Sequence, residues 1–186
     1  MSEGSFAVTY NSDPKIFITE LLDDAIKTLS DKSLTKEAKH KTIKDIALKN
    51  VDIKALGMYT LGDLRKKLNP ENLSKYNILF QKYFLKSLTS RLTDYSSNRF
   101  EVLEADQRSA SYTIVKSKIA QSTSQPEIKI DWRVYTKNPN KPLIRDLIVE
   151  GLSLAKTQKE EFASILNSNN NDINALFSKL EKFISN

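Results

Sequence analysis

Between Ile128 and Tyr135 the chain alternates strictly. Ile128, Ile130, Trp132 and Val134 are apolar, and Lys129, Asp131, Arg133 and Tyr135 between them are polar or amphipathic. A period of two puts the first set on one face of a strand and the second set on the other. Such a strand needs hydrogen-bonding neighbours and an apolar cover on one face only, which constrains the chain to an antiparallel sheet with a dry face and a wet face. Neighbouring segments supply the partners. Phe100 and Val102 flank Glu101 in a first strand, 111–121 reads as a second, and the alternating segment at 127–136 is the third. Lys137-Asn138-Pro139-Asn140 is a hairpin turn. The fourth strand, 143–149, is apolar on both parities, with Ile144 and Ile148 set opposite Leu147 and Val149, so a cover on both faces is expected.

On either side of this block the period is helical. Asp13 and Pro14 open a first helix, the one as N-cap and the other in the first turn, and Ile18, Leu22, Ala25, Ile26 and Leu29 follow on one face. A second helix starts near Thr35 with Ala38, Ile43, Ile46 and Ala47 inward. The stretch 50–58 reads as a connection carrying Gly57, followed by a short helical piece at 59–66. Asn69, Pro70 and Glu71 then start the longest helix, predicted over 70–95, whose stripe is Leu73, Tyr76, Phe80, Phe84, Leu88 and Leu92 with Tyr83 beside it. Glu150-Gly151 ends the sheet. A helix over 153–166 carries Leu154, Phe162, Ile165 and Leu166, and Asp172 caps a last one carrying Ile173, Leu176, Phe177, Leu180 and Phe183. With 186 residues the chain is close to one domain of about 150. The expectation is a leader at 1–12 without order, then a single α+β domain at 13–186. That domain is a curved antiparallel sheet of about four strands packed against helices, NTF2-like in appearance.

Charge and composition exclude several classes of function. Lys and Arg number 29 against 23 Asp and Glu, a net +6 with a pI near 9.3, yet only six of the basic residues are Arg. Readers of nucleic acid favour Arg for its bidentate fork. Here the Lys are scattered and interleaved with acids, as at Lys156, Lys159, Glu160 and Glu161, which reads as a solvated surface or as one that attracts anionic lipid surfaces or an acidic partner protein, with no nucleic-acid partner implied. There is no Cys, hence no disulfide framework, thiolate or Cys-based zinc site. No stretch has the 18 or so apolar residues of a membrane span. Met1-Ser2-Glu3-Gly4-Ser5 is no secretion signal, which leaves a cytosolic protein or a mature form whose signal was removed.

Catalytic chemistry finds little to stand on. The single His, His40, lies between Lys39 and Lys41 with no nucleophile at an identifiable spacing, and a metal site would need more ligands. The glycines are isolated, so no phosphate loop exists. Asp23-Asp24 and Glu160-Glu161 are adjacent on helices and do not face one another. Asp131 and Asp146, on strands, are the candidates for an acid or base. What remains is apolar inventory, 8 Phe, 7 Tyr and 1 Trp, which can close a solid core or wall a cavity.

Two stretches carry a more specific signal. One is Leu56-Gly57-Met58-Tyr59, then Asn69-Pro70-Glu71, then Phe80, Phe84 and Leu88. The other is Asp131-Trp132-Arg133-Val134, then Arg145-Asp146-Leu147-Ile148-Val149-Glu150-Gly151-Leu152-Ser153, then Lys159-Glu160-Glu161-Phe162. In this order they resemble the MlaC family, also called toluene-tolerance auxiliary components, over residues 13–183. The chain departs from the family pattern at Thr60, where a Trp is common, at Pro142-Leu143, where an aromatic-basic pair is common, and at Lys159, where Arg is frequent.

The resemblance implies a monomeric periplasmic carrier with an apolar pocket, no cofactor, and a phospholipid as cargo. It implies exchange with an inner-membrane ABC transporter bearing an MCE-domain protein, and with an outer-membrane lipoprotein–porin complex, in maintenance of outer-membrane asymmetry. The expected helical wall of the pocket is Phe80, Phe84 and Leu88. The expected sheet wall is Val102, Ile114, Trp132, Val134, Leu147 and Val149, with Leu152 and Leu154 at the edge. The alternative is a small NTF2-like enzyme with Asp131 or Asp146 as general base.

Overall fold

In a computed structural model of the chain the described residues are 10–92, 99–123 and 125–186. Local chemistry starts each helix. Asp13 accepts from the Lys15 and Ile16 N–H groups and Pro14 takes the first position of α1 (Pro14–Ser30). Thr35 caps α2 (Lys36–Asn50) through Ala38 N–H. Of the expected leader, residues 1–9 lie outside the described residues. Tyr10 donates to Asp24 at 2.9 Å and packs edge-on against Phe17, and Asn11 N–H donates to Glu20.

The connection expected at 50–58 is in fact helical. Asp52 accepts from Ala55 N–H and starts α3 (Ile53–Thr60), followed by a 3-10 turn, Gly62–Lys66. Gly57 sits inside α3 for a packing reason. A Cβ there would lie 2.8 Å from Phe80 Cδ1, so only glycine lets the Phe80 ring lie against the helix. Helix α4 (Pro70–Leu92) opens where Asn69 Oδ1 accepts from Asn72 N–H. Positions 93–95 of its expected span lie outside the described residues.

The sheet is open and antiparallel, in the consecutive order β1 (Phe100–Ser109), β2 (Tyr112–Ile119), β3 (Ile128–Tyr135), β4 (Leu143–Val149) and β5 (Leu152–Ser153). The fifth strand is too short for periodicity to reveal. It is set by Glu150 and Gly151, whose φ of 49° and 81° give the two positive values that a tight two-residue hairpin turn requires. Strand β4 carries a bulge. Arg133 pairs with Asp146 and Val134 with Ile144, so Arg145 is skipped. Ile144 therefore shares a face with Leu147 and Val149 instead of opposing them. Both faces of β4 are nonetheless covered, since Ile144 and Asp146, on opposite faces, are buried alike.

Two apolar clusters result. Phe17, Ile18, Leu21 and Leu22 of α1 pack on the face of Val115, Trp132, Val134 and Ile144. The second cluster lies among α3, α4, α5 (Leu154–Asn167) and α6 (Ile173–Ser185), around Tyr76, Phe80, Phe162, Leu176 and Phe177. Val51, between α2 and α3, packs against both clusters and bridges to Ile144.

Candidate functional site

The expected helical wall is divided by burial. Phe80 is fully enclosed, stacked on Tyr76 at 5.7 Å and on Phe84 at 6.4 Å and edge-on to Phe162 at 6.3 Å. Such ring pairs add about 0.5–1.5 kcal/mol each beyond the area they bury. Phe84 and Leu88, one and two turns further along α4, are half-buried. Phe84 packs on the helical cluster and Leu88 belongs to neither cluster. Beneath them Tyr76 is fully buried with its hydroxyl 2.7 Å from Thr60 Oγ1, and burial pushes that hydroxyl's pKa up. Thr60, at the position where the resemblance implies Trp, shares a hydrogen bond with Tyr76.

The register fixes the sheet wall. Val102 pairs with Ser117, Trp132 with Val115, Val134 with Thr113, Leu147 with Trp132 and Val149 with Ile130. All of these lie on the face that α1 covers. Ile114 does not, because it pairs with Arg133, so its side chain stands on the opposite face; with a period of two, one position is enough to cross the sheet. Leu152 pairs with Val149 at the sheet margin and is 69% exposed, and Leu154 is 42% exposed.

Among the described residues the two expected walls fall in separate apolar clusters. Phe80 and Phe84 belong to the helical cluster, whereas Val102, Trp132, Val134 and Leu147 belong to the cluster under α1, and Val51 is the seam between them. Phe17, Leu21 and Leu22 of α1 pack against the sheet wall instead. The signal for them was present as an apolar stripe on α1. Which face that stripe would meet is a tertiary matter that helical spacing does not state.

The segments that carried the family resemblance do converge, on the opposite face of the sheet. A cavity of about 350 Å³ is lined by Leu56, Met58 and Tyr59 of α3, by Arg65, by Tyr112, Arg133, Arg145 and Asp146 of the strands, and by Ala155. Arg145 is the most constrained. Its guanidinium meets Asp52 through Nε at 2.9 Å and Nη2 at 2.7 Å, donates to Tyr112 Oη at 3.0 Å and lies 3.6 Å over the Tyr135 ring. Arg133 is exposed and pairs with no acid among the described residues. Lys159 lies 5.1 Å over the Tyr59 ring at the same margin.

Asp146 is committed to structure. One oxygen accepts from Ser153 Oγ and the other from Ala155 N–H at 3.0 Å, so the carboxylate holds the start of α5 against β4. A carboxylate near a helix N-terminus is also favoured by the helix dipole. Asp131 is half-buried opposite Lys116 and Ile148 and makes no comparable network. Among the described residues no group of three or more His, Cys, Asp or Glu is placed to hold a metal ion, and no helix is long and apolar enough to cross a membrane. The described residues thus hold apolar side chains in two packed clusters and, at one margin, a cavity lined by Arg65, Arg133, Arg145 and Asp146.

The model of the MlaC protein family matches residues 19–182. No curated protein matches the chain. Among solved structures, the phospholipid-binding protein from Ralstonia solanacearum, in complex with a phospholipid, superposes with a TM-score of 0.74. It is 20% identical, and the match covers 90% of this chain and 94% of that one. At that identity the likeness is one of fold.

Proposed function

The chain belongs to the MlaC family, and from that premise we propose that it is a soluble periplasmic carrier that holds a phospholipid by its acyl chains. It takes lipid from one membrane complex and delivers it to another, exchanging with an inner-membrane ABC transporter bearing an MCE-domain protein and with an outer-membrane lipoprotein–porin complex, and so sustains outer-membrane asymmetry. The observation that carries this reading is the family match over residues 19–182, on a fold shared with a phospholipid-bound protein.

The physics of such a carrier is demanding. A diacyl lipid has about 30 methylenes, and at about 0.8 kcal/mol each their exposure to water costs on the order of 25 kcal/mol. The carrier offsets most of this, yet its affinity stays close to that of a bilayer so that the lipid leaves again. Two apolar clusters meeting at Val51 suit that requirement. Acyl chains entering at the seam replace contacts between side chains with contacts to methylenes, at little net change in buried apolar area. Phe84 and Leu88 on α4, with Trp132, Leu147 and Val149 on the sheet, are the surfaces they meet. Leu152 and Leu154 lie at the margin.

An enzymatic reading gains nothing from the geometry, since both oxygens of Asp146 are occupied by donors that fix a helix. The deciding experiment is native mass spectrometry of the purified protein, with lipid extraction from the same sample and incubation with phospholipid vesicles. One diacyl phospholipid per chain is expected. A lipid-free mass that persists after incubation with vesicles would overturn the reading.

A further inference from the structure

A further groove lies away from both the Val51 seam and the arginine cavity. Its volume is about 560 Å³, and it runs between α2 and α4 to the end of α6. One wall is Lys36, His40 and Lys44, successive turns of α2. The other is Lys82, Lys86, Thr89 and Ser90 of α4, with Leu85 and Ile184 as its apolar part. No carboxylate is among these lining residues.

The charge placement is costly for the fold alone. Lys82 and Lys86 are four apart, the spacing at which like charges on a helix repel, and Lys36 and Lys44 stand eight apart on α2 along the other wall. Lys86 donates to the Ile184 carbonyl at 2.8 Å. Lys36, Lys44 and Lys82 pair with no acid among the described residues, although Lys41, on the same helix, pairs with Asp45 at 2.8 Å. A concave surface lined by one sign of charge concentrates the field of its groups. His40 adds an independent mark. Its Nε2 is buried and has no hydrogen-bond partner, which is uncommon for a buried polar atom.

We propose that this groove is a binding site for a phosphate-bearing anion, held by Lys36, Lys44 and Lys82 with the His40 ring in its wall. The phosphate is either free or the headgroup of a lipid, and Leu85 and Ile184 provide a surface that only the lipid uses. The site stands apart from the proposed carrier function and does not depend on it.

His40 is the only histidine of the chain, so its ring resonances report the groove without ambiguity. The test is a titration of the full chain at low ionic strength and fixed pH, followed by NMR of the His40 ring, with inorganic phosphate and with a short-chain phosphatidic acid below its micelle concentration. Chloride at matched ionic strength is the control. A saturable shift is expected, absent with chloride, and the double variant Lys36→Gln with Lys82→Gln should weaken binding by about tenfold or more, as expected for losing charge-assisted contacts. Lys36 and Lys82 are exposed and their loss relieves repulsion; an unchanged circular dichroism spectrum confirms that the variant is folded. Tighter binding of the lipid than of inorganic phosphate assigns a headgroup, and equal binding assigns free phosphate. No saturable shift, an equal shift with chloride, or unchanged affinity in the double variant overturns the proposal. Acyl-chain carriage read by native mass spectrometry stands or falls separately.

Discussion

Trp132 Nε1 donates to Ser117 Oγ at 2.9 Å, across the β2–β3 strand pair, and Ser117 Oγ donates onward to the Ile130 carbonyl at 2.8 Å. Both residues are buried, on the face that α1 covers. The hydroxyl therefore serves as the polar outlet of an indole that is otherwise packed among Phe17, Ile18 and their neighbours.

Replacing Ser117 by Ala leaves the indole N–H without an acceptor in a dry environment. The expected loss is about 1–3 kcal/mol of unfolding free energy. Trp132→Phe removes the donor and some volume. In the double variant the unsatisfied group is gone, so the combined loss is expected to be smaller than the sum of the two single losses. Urea unfolding followed by far-UV circular dichroism measures all three. Additive losses would mean that the bond contributes no coupling.

Gly57 and Phe80 form a second dependent pair. A methyl group at position 57 meets the Phe80 ring 2.8 Å away, and a ring stacked on Tyr76 and Phe84 has little room to retreat. Gly57→Ala is expected to destabilise by about 1–3 kcal/mol, despite alanine's better helix propensity. In a Phe80→Leu background the same substitution is expected to cost less, or to stabilise. A gain in the denaturation midpoint for Gly57→Ala alone would refute the close packing.

These two pairs show where sequence reasoning stops. Asp13 and Asp172 announce their helices because a cap acts on N–H groups two or three residues away. The alternation from Ile128 to Tyr135 announced a half-covered strand because period two is itself local. Gly57 suggested a loop, and its helical role became apparent only with Phe80 placed against it. Ile114 stands on the face opposite the one expected because β2 has apolar residues on both parities, and only its pairing with Arg133 decides between them. The bulge at Arg145 is invisible for the same reason. Of the candidate site, the apolar residues were legible as such. Their division into two clusters was not, because it depends on where α1 lies on the sheet.

Asp52 joins elements that are 93 residues apart in sequence, since it both caps α3 at Ala55 N–H and pairs with Arg145. The two roles separate by substitution. Asp52→Asn keeps a competent cap and removes the charge, whereas Asp52→Ala removes both. The first is expected to cost about 1–3 kcal/mol, as the loss of a hydrogen bond to a charged group in a part-buried setting, and the second about 1 kcal/mol more. Arg145→Lys is expected to resemble Asp52→Asn, because an ammonium cannot reproduce the fork and lacks the planar face that lies over Tyr135. Chemical denaturation of the three variants decides this. Equal stability of Asp52→Asn and the parent would show that the ion pair contributes nothing.

Tyr76 gives the fold a signature at alkaline pH. Burial is the main cause that raises its hydroxyl pKa above the ordinary value of about 10, and the contact with Thr60 acts weakly the other way. Tyr10 is raised too, first by burial and then by its bond to Asp24. Below the ordinary value these hydroxyls are protonated in both the folded and the unfolded chain, so neither contributes to any slope. Above it the unfolded chain releases a proton that the folded chain retains. The unfolded state then binds fewer protons, and stability falls as pH rises. Tyr76→Phe removes one such group. Its unfolding free energy is expected to run parallel to that of the parent up to about pH 9.5 and to decline less steeply from there to about pH 11. Urea midpoints at half-unit pH intervals measure the difference directly. Curves that remain parallel across the whole range would show that Tyr76 ionises as readily in the folded chain as in the unfolded one.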